Sequence, residues 1–169
     1  TESWDPLVMD VRKAPFSNPK VRQAVRYAID KDQLIKLARF GHGVKVPFPL
    51  SPQNPAFPKD VPNVPYDVAK AKQLLTEAGY PNGFDTPLSL GIGRPQRVRE
   101  GVAVAEMLKA VNIRCDVQQM PLDKFFADIE FKAEFYTTGW RGEPGTDLHI
   151  YPRFHSKGSW NVAHWENAE

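Results

Sequence analysis

The stretch Leu88–Trp140, LSLGIGRPQRVREGVAVAEMLKAVNIRCDVQQMPLDKFFADIEFKAEFYTTGW, decides the fold. Leu88 to Ile92 reads as a strand, Gln96 to Ala110 as a helix, and Ile113 to Gln119 as a strand with apolar side chains at alternate positions. A short helix carrying Leu122, Phe125, Phe126 and Ile129 follows, and then a strand from Glu134 to Trp140. Strand and helix taking turns in this way predict an α/β layer with parallel pairing and right-handed crossovers. Open sheets of that kind gather ligands at the carboxyl ends of their strands. The chain leaving the last strand, Gly139-Trp140-Arg141-Gly142-Glu143-Pro144-Gly145-Thr146-Asp147, is therefore the leading candidate for a binding loop.

Towards the amino terminus lie three helices with clear start signals. Asn18 before Pro19 offers a side-chain cap followed by a proline in the first turn, and Val21, Ala24, Val25, Ala28 and Ile29 then form one apolar face. Asp30 and Gln33 have the spacing of a capping box for a second helix that ends near Gly41. Asp67 caps a third, with Val68, Ala71, Leu74, Leu75 and Ala78 on one side and Gly79 in the terminating position. Between the second and third, seven prolines from Pro47 to Pro65 exclude an ordinary helix or central strand. This segment is expected to be a long surface loop anchored by Phe48, Leu50, Phe57, Val61, Val64 and Tyr66.

Composition sets the outer bounds. With 169 residues, 41% hydrophobic and 25% charged, the chain fits one soluble domain, residues 1–169. A formal charge of +2 from 22 basic and 20 acidic residues, without a basic stripe, speaks against a nucleic-acid partner. The single Cys115 excludes an internal disulfide, and its alternation with Ile113 and Val117 makes it a core residue. No apolar stretch approaches the ~20 residues of a membrane span. The first and last residues carry neither an initiator Met nor a terminal cap, so the chain is expected to be part of a longer protein.

Of the four histidines, His42, His149, His155 and His164, none has the spacing of a zinc-binding helix. There is no Gly-x-Ser-x-Gly, and Gly91-Ile92-Gly93 lacks the third glycine of a dinucleotide loop because Gln96 stands there. No metal site, cofactor or catalytic residue is expected. The loop after the last strand instead has the makings of a binding site. Trp140 offers a flat apolar surface, Arg141 and Glu143 opposite charges, and Gly142 and Gly145 close backbone approach. Tyr136 on the preceding strand and Asp147 complete the candidate set. Two other readings compete: a small hydrolase-like α/β enzyme using Glu143, Asp147 and His149 as acid and base, and a purely structural or interaction domain with Trp140 buried in its core.

The segment Asn18-Pro19-Lys20-Val21-Arg22-Gln23-Ala24-Val25-Arg26-Tyr27-Ala28-Ile29-Asp30-Lys31 resembles the family 5 extracellular solute-binding proteins of dipeptide, oligopeptide and nickel ABC importers. The resemblance continues through Gly41-His42-Gly43 and the proline-rich loop, Tyr66-Asp67, Ala69-Lys70-Ala71, Leu74 to Tyr80, and Gly139-Trp140. It implies a type II periplasmic-binding-protein lobe, three-layered about a central mixed sheet, and the second lobe of a clamp whose first lobe lies elsewhere. It further implies a periplasmic or membrane-anchored extracellular protein that captures peptides or similar small polar solutes, works with ABC permease subunits and is not an enzyme. The fragment itself is expected to be monomeric. In the family an aspartate after Gly-Trp commonly holds a peptide's amino terminus, and Glu143 matches that place. Thr146-Asp147 stands where an Asp-Pro pair is common, and Arg153 to Gly158 with Asn161 resemble the helix end and turn that follow.

Overall fold

The computed structural model describes residues 3–141 and 145–166. Its centre is a mixed four-stranded sheet in the order β2-β5-β3-β4, formed by Leu7–Met9 (β2), Phe135–Thr137 (β5), Phe84–Ile92 (β3) and Ile113–Pro121 (β4). β3 and β4 run parallel from Phe84 opposite Ile113 to Ile92 opposite Pro121, and β5 joins β3 in parallel at Ser89 opposite Tyr136. β2 is antiparallel to β5, with Val8 opposite Tyr136. A separate antiparallel ribbon pairs Ser3–Trp4 (β1) with Trp140–Arg141 (β6), Trp4 facing Trp140.

The helices begin where their caps dictate. The Asn18 carboxamide oxygen accepts from the Lys20 N–H at 2.9 Å ahead of Pro19–Ala28 (α1). The Asp30 carboxylate accepts from the N–H groups of Asp32 and Gln33, both at 3.0 Å, ahead of Lys31–Arg39 (α2). Asp67 accepts from Lys70 at 2.8 Å ahead of Val68–Glu77 (α3), after which Gly79 takes φ +90°. Satisfying these otherwise orphaned donors is worth roughly 1 kcal/mol per cap.

Two apolar layers sandwich the sheet. On one face Leu88, Leu90, Ile113 and Phe135 meet Val104, Ala105 and Leu108 of Pro95–Leu108 (α4), with Val21, Ala24, Val25, Ala71 and Leu75 of α1 and α3 behind them. On the other, Val8 and Tyr136 meet Phe125 of Leu122–Asp128 (α5), Trp140 and Val162. The architecture is thus the three-layer α/β arrangement with a mixed central sheet. Gly91 permits the close approach of α5, since a Cβ there would lie 2.9 Å from the Leu122 Cδ2.

Four local expectations change. β3 begins at Phe84 rather than Leu88, running through Pro87 where only β4 pairs with it. The strand expected over Glu134 to Trp140 is two elements: β5 stops at Thr137 and the chain turns into β6. A helix, Thr146–Phe154 (α6), begins in the last two residues of the segment read as a binding loop, runs to the helix end that the resemblance implied near Arg153, and holds Pro152 in its last turn. Proline cannot donate to the Leu148 carbonyl one turn back, and the Arg153 guanidinium does so instead at 3.3 Å while reaching the His149 carbonyl at 2.9 Å. In the proline-rich loop only Leu50 of the six expected anchors is fully buried, whereas Phe48, Val61 and Tyr66 are exposed. Polar ties hold the loop as well, with Lys31 Nζ at 3.4 Å from both the Val46 carbonyl and Asn63 Oδ1. Cys115 is half-buried on the edge strand, where burial pushes its thiol up to about 11.

Candidate ligand-binding site

Because β3, β4 and β5 are parallel, their carboxyl ends share one edge of the sheet, and the chain leaving β5 becomes β6 beside that edge. What fixes the ribbon there is an ionic cluster. Asp5, between β1 and β2, accepts from Arg97 Nε of α4 at 2.7 Å and from the Arg39 guanidinium, which also pairs with Glu100. The Asp5 side chain is only 6% exposed, so these pairs are shielded from water and screened little by salt. Arg97 lies directly against Gly139, where any Cβ would collide with its guanidinium and with Asp5. Glycine at 139 is therefore a requirement of this contact. Nearby, Thr138 Oγ1 donates to the buried Glu130 carboxylate at 2.8 Å.

The ribbon carries Trp140 and Arg141. Trp140 packs edge-on against Trp4, with ring centroids 4.7 Å apart, and the Arg153 Cζ sits 5.4 Å from its ring centroid. α6 covers the pair, placing His149 5.3 Å and Phe154 6.1 Å from Trp4, centroid to centroid. Trp140 is thus 8% exposed, buried rather than presenting an open face, in the chain as it stands. Arg141 is exposed at the ribbon's end. Asp147 is exposed in the first turn of α6, and Glu143 lies outside the described residues.

Tyr136 is wholly buried. Its hydroxyl accepts from the Phe131 N–H at 3.1 Å and donates to the Val162 carbonyl at 3.3 Å, and burial raises its pKa. The phenol therefore braces the floor beneath the ribbon. Asp147 and His149 are two positions apart on one helix and so project to different sides, the first to solvent and the second onto Trp4. They do not form the acid–base pair an enzyme would need. No group of three or more His, Cys, Asp or Glu among the described residues could hold a metal ion, and no helix among them is long and apolar enough to cross a membrane. Trp4 and Arg97 are the contributors that sequence reasoning missed. Each is recognisable only through pairing across most of the chain.

The model of the bacterial extracellular solute-binding proteins, family 5 middle region, matches residues 1–161. The chain belongs to this family. This family 5 chain is 37% identical over 171 residues to the glutathione-binding protein GsiB of Pectobacterium atrosepticum, covering 96% of the chain and 32% of that protein. It is 35% identical over 175 residues to heme-binding protein A of Haemophilus influenzae, covering 96% and 31%. Its fold matches the periplasmic binding protein DppA of Helicobacter pylori, solved with the peptide STSA, at a TM-score of 0.92 and 24% identity, over 98% of this chain and 33% of that one. The family 5 chain thus spans about a third of the length of the relatives it matches. In this family setting the Arg22 of the resembling segment acquires a structural role: its guanidinium donates to the Phe16 carbonyl at 2.6 Å and the Ser17 carbonyl at 3.1 Å, tying the loop before α1 to the helix.

Proposed function

We propose that this chain is one lobe of a two-lobed solute receptor that captures a peptide or similar small polar solute and delivers it to an ABC permease. Residues 1–169 form that lobe as a single domain. The observation that carries the reading is the β1–β6 ribbon, which follows directly from β5 at the carboxyl edge of the parallel strands and bears Trp140 and Arg141. In open α/β sheets that edge is where ligands bind. Arg141, Glu143 and Asp147 supply charges of both signs for a polar solute, and Trp140, covered by α6, supports the ribbon that carries Arg141. The relatives' names, glutathione-binding and heme-binding, and the peptide held by the DppA structure support the solute class. Capture requires no bond to break, so the chain acts as a receptor rather than an enzyme, in a periplasmic or membrane-anchored extracellular setting.

Native mass spectrometry of the full-length protein, purified without denaturation, tests this proposal. A small solute bound one to one is the expected result. A protein that carries no solute and binds neither glutathione nor short peptides when they are added contradicts it.

A further inference from the structure

Buried polar groups without hydrogen-bond partners are rare in folded proteins, and each one calls for an explanation. Among the described residues two indole N–H groups are in that position, Trp4 Nε1 and Trp140 Nε1, and they belong to neighbouring rings on paired strands. Each buried donor left unpaired costs on the order of 1–3 kcal/mol. Nothing in the fold requires this arrangement, because a phenylalanine at either place would fill the apolar space without a polar atom. Two orphaned donors on neighbouring rings, both rings packed by α6, point to an acceptor that the described residues do not supply.

Among the described residues the surroundings favour an anionic acceptor. Arg153 lies over Trp140 and Arg141 stands exposed on the same ribbon. The carboxylate adjoining Trp4, Asp5, is already neutralised by Arg97 and Arg39. Asp147 lies on the solvent side of α6. The cover over the donors is α6, through His149 and Phe154 against Trp4 and Phe154 against Trp140. The outer side of α6 is free of the body of the domain, with Leu148 63% and Tyr151 54% exposed. A polar tie at the start of the helix is the Thr146 Oγ1 bond to Asn54 Oδ1 at 3.1 Å.

We infer that Trp4 and Trp140 form a carboxylate subsite, in which the two indole N–H groups donate to a carboxylate of the bound solute once α6 moves aside. This deepens the proposed receptor function and rests on it, adding the chemical class of the group recognised and two residues that recognise it. Solutes bearing a free carboxylate next to an apolar or flat portion fit the slot, the carboxylate on the N–H pair and the apolar part against the rings. The alternative destiny for the donors is an N–H contact with a neighbouring ring face, which the edge-on Trp4–Trp140 geometry also permits.

The test is titration of the 15N-labelled full-length protein, followed through its tryptophan indole resonances. These are assigned with Trp4→Phe and Trp140→Phe and read alongside calorimetry. The probes are glutathione, trialanine and trialanine amide. The expected result is that the carboxylate probe that binds moves the Trp4 and Trp140 indole protons downfield and leaves those of Trp160 and Trp165 in place. Amidation of its carboxylate then weakens binding roughly tenfold or more, the loss of a charge-assisted bond. Should either variant fail to fold, segmental 15N labelling of residues 1–169 within the full-length protein leaves the four indole signals of this segment visible, of which two must move. Binding with all four unmoved, or with equal affinity for acid and amide, overturns the inference and leaves the receptor reading intact. Failure of every probe to bind, with no solute retained from the cell, overturns both.

Discussion

At Gly139 a single hydrogen in place of a side chain lets the Arg97 guanidinium lie on the backbone and reach Asp5. The substitution Gly139→Ala is expected to destabilise the domain by about 1–3 kcal/mol through overpacking, read as a lower urea midpoint. In an Arg97→Ala background the same methyl meets less resistance, so a double-mutant cycle shows coupling. Tyr136→Phe removes a hydroxyl that serves both Phe131 and Val162 and is expected to cost about 1–3 kcal/mol by leaving those backbone groups unpaired. Asp10 makes the chain sensitive to acid. Its burial opposes ionisation, but hydrogen bonds from the Arg12 side chain at 2.8 and 3.0 Å and from the Arg12 N–H prevail and hold the carboxyl below its ordinary 3.8. A lowered carboxylate pKa contributes stability that is fully present above the unfolded value and lost as pH falls through the folded one. Unfolding followed below about pH 4 should therefore lose less stability in Asp10→Asn than in the parent.

Among the elements, α1, α2 and α3 depend on caps written within three residues of their starts. Asp67→Ala is expected to cost about 1 kcal/mol, seen as a lower thermal midpoint with little change in the folded circular dichroism spectrum. That locality is why these helices were legible in the sequence, along with the alternation of strand and helix from β3 to β5. β1, β2 and β6 are two or three residues long and exist because Ser3 finds Arg141 and Leu7 finds Thr137, almost a chain length away. No local period could announce them. To residue spacing alone α6 was hidden by Pro152, whose lost backbone bond is compensated by Arg153, and only the family resemblance pointed to its end. The candidate site was legible in part for the same reason. Trp140 and Arg141 follow from the carboxyl-end rule, whereas Trp4 needs the ribbon and Arg97 needs Gly139. α4 buries Gly101, Val104, Ala105 and Leu108, while α6 buries only His149 and Arg153. Hydrogen exchange should accordingly show the α6 amides opening locally, well before those of α4. Equal protection of the two helices would contradict the cover assigned to α6.

For the whole molecule, the described residues hold an apolar cluster on each side of the sheet and, in the proposed receptor, half of a cleft. Family 5 relatives about three times as long match it from end to end along a third of their length. Stability and binding therefore separate. Leu88, Leu90, Phe135 and their partners form a core within the chain, but in the proposed receptor a solute held at the ribbon would touch one wall only. Closing a second wall over it removes water from the Arg141 surface and strengthens each charge-assisted bond made there. The most direct test is a calorimetric titration of one solute, the one retained by the full-length protein, into that protein and into residues 1–169 alone. The account predicts binding in the micromolar range or tighter for the full-length protein, about −8 kcal/mol or better, and binding weaker than about millimolar for the lobe. Equal affinity in the two would contradict it.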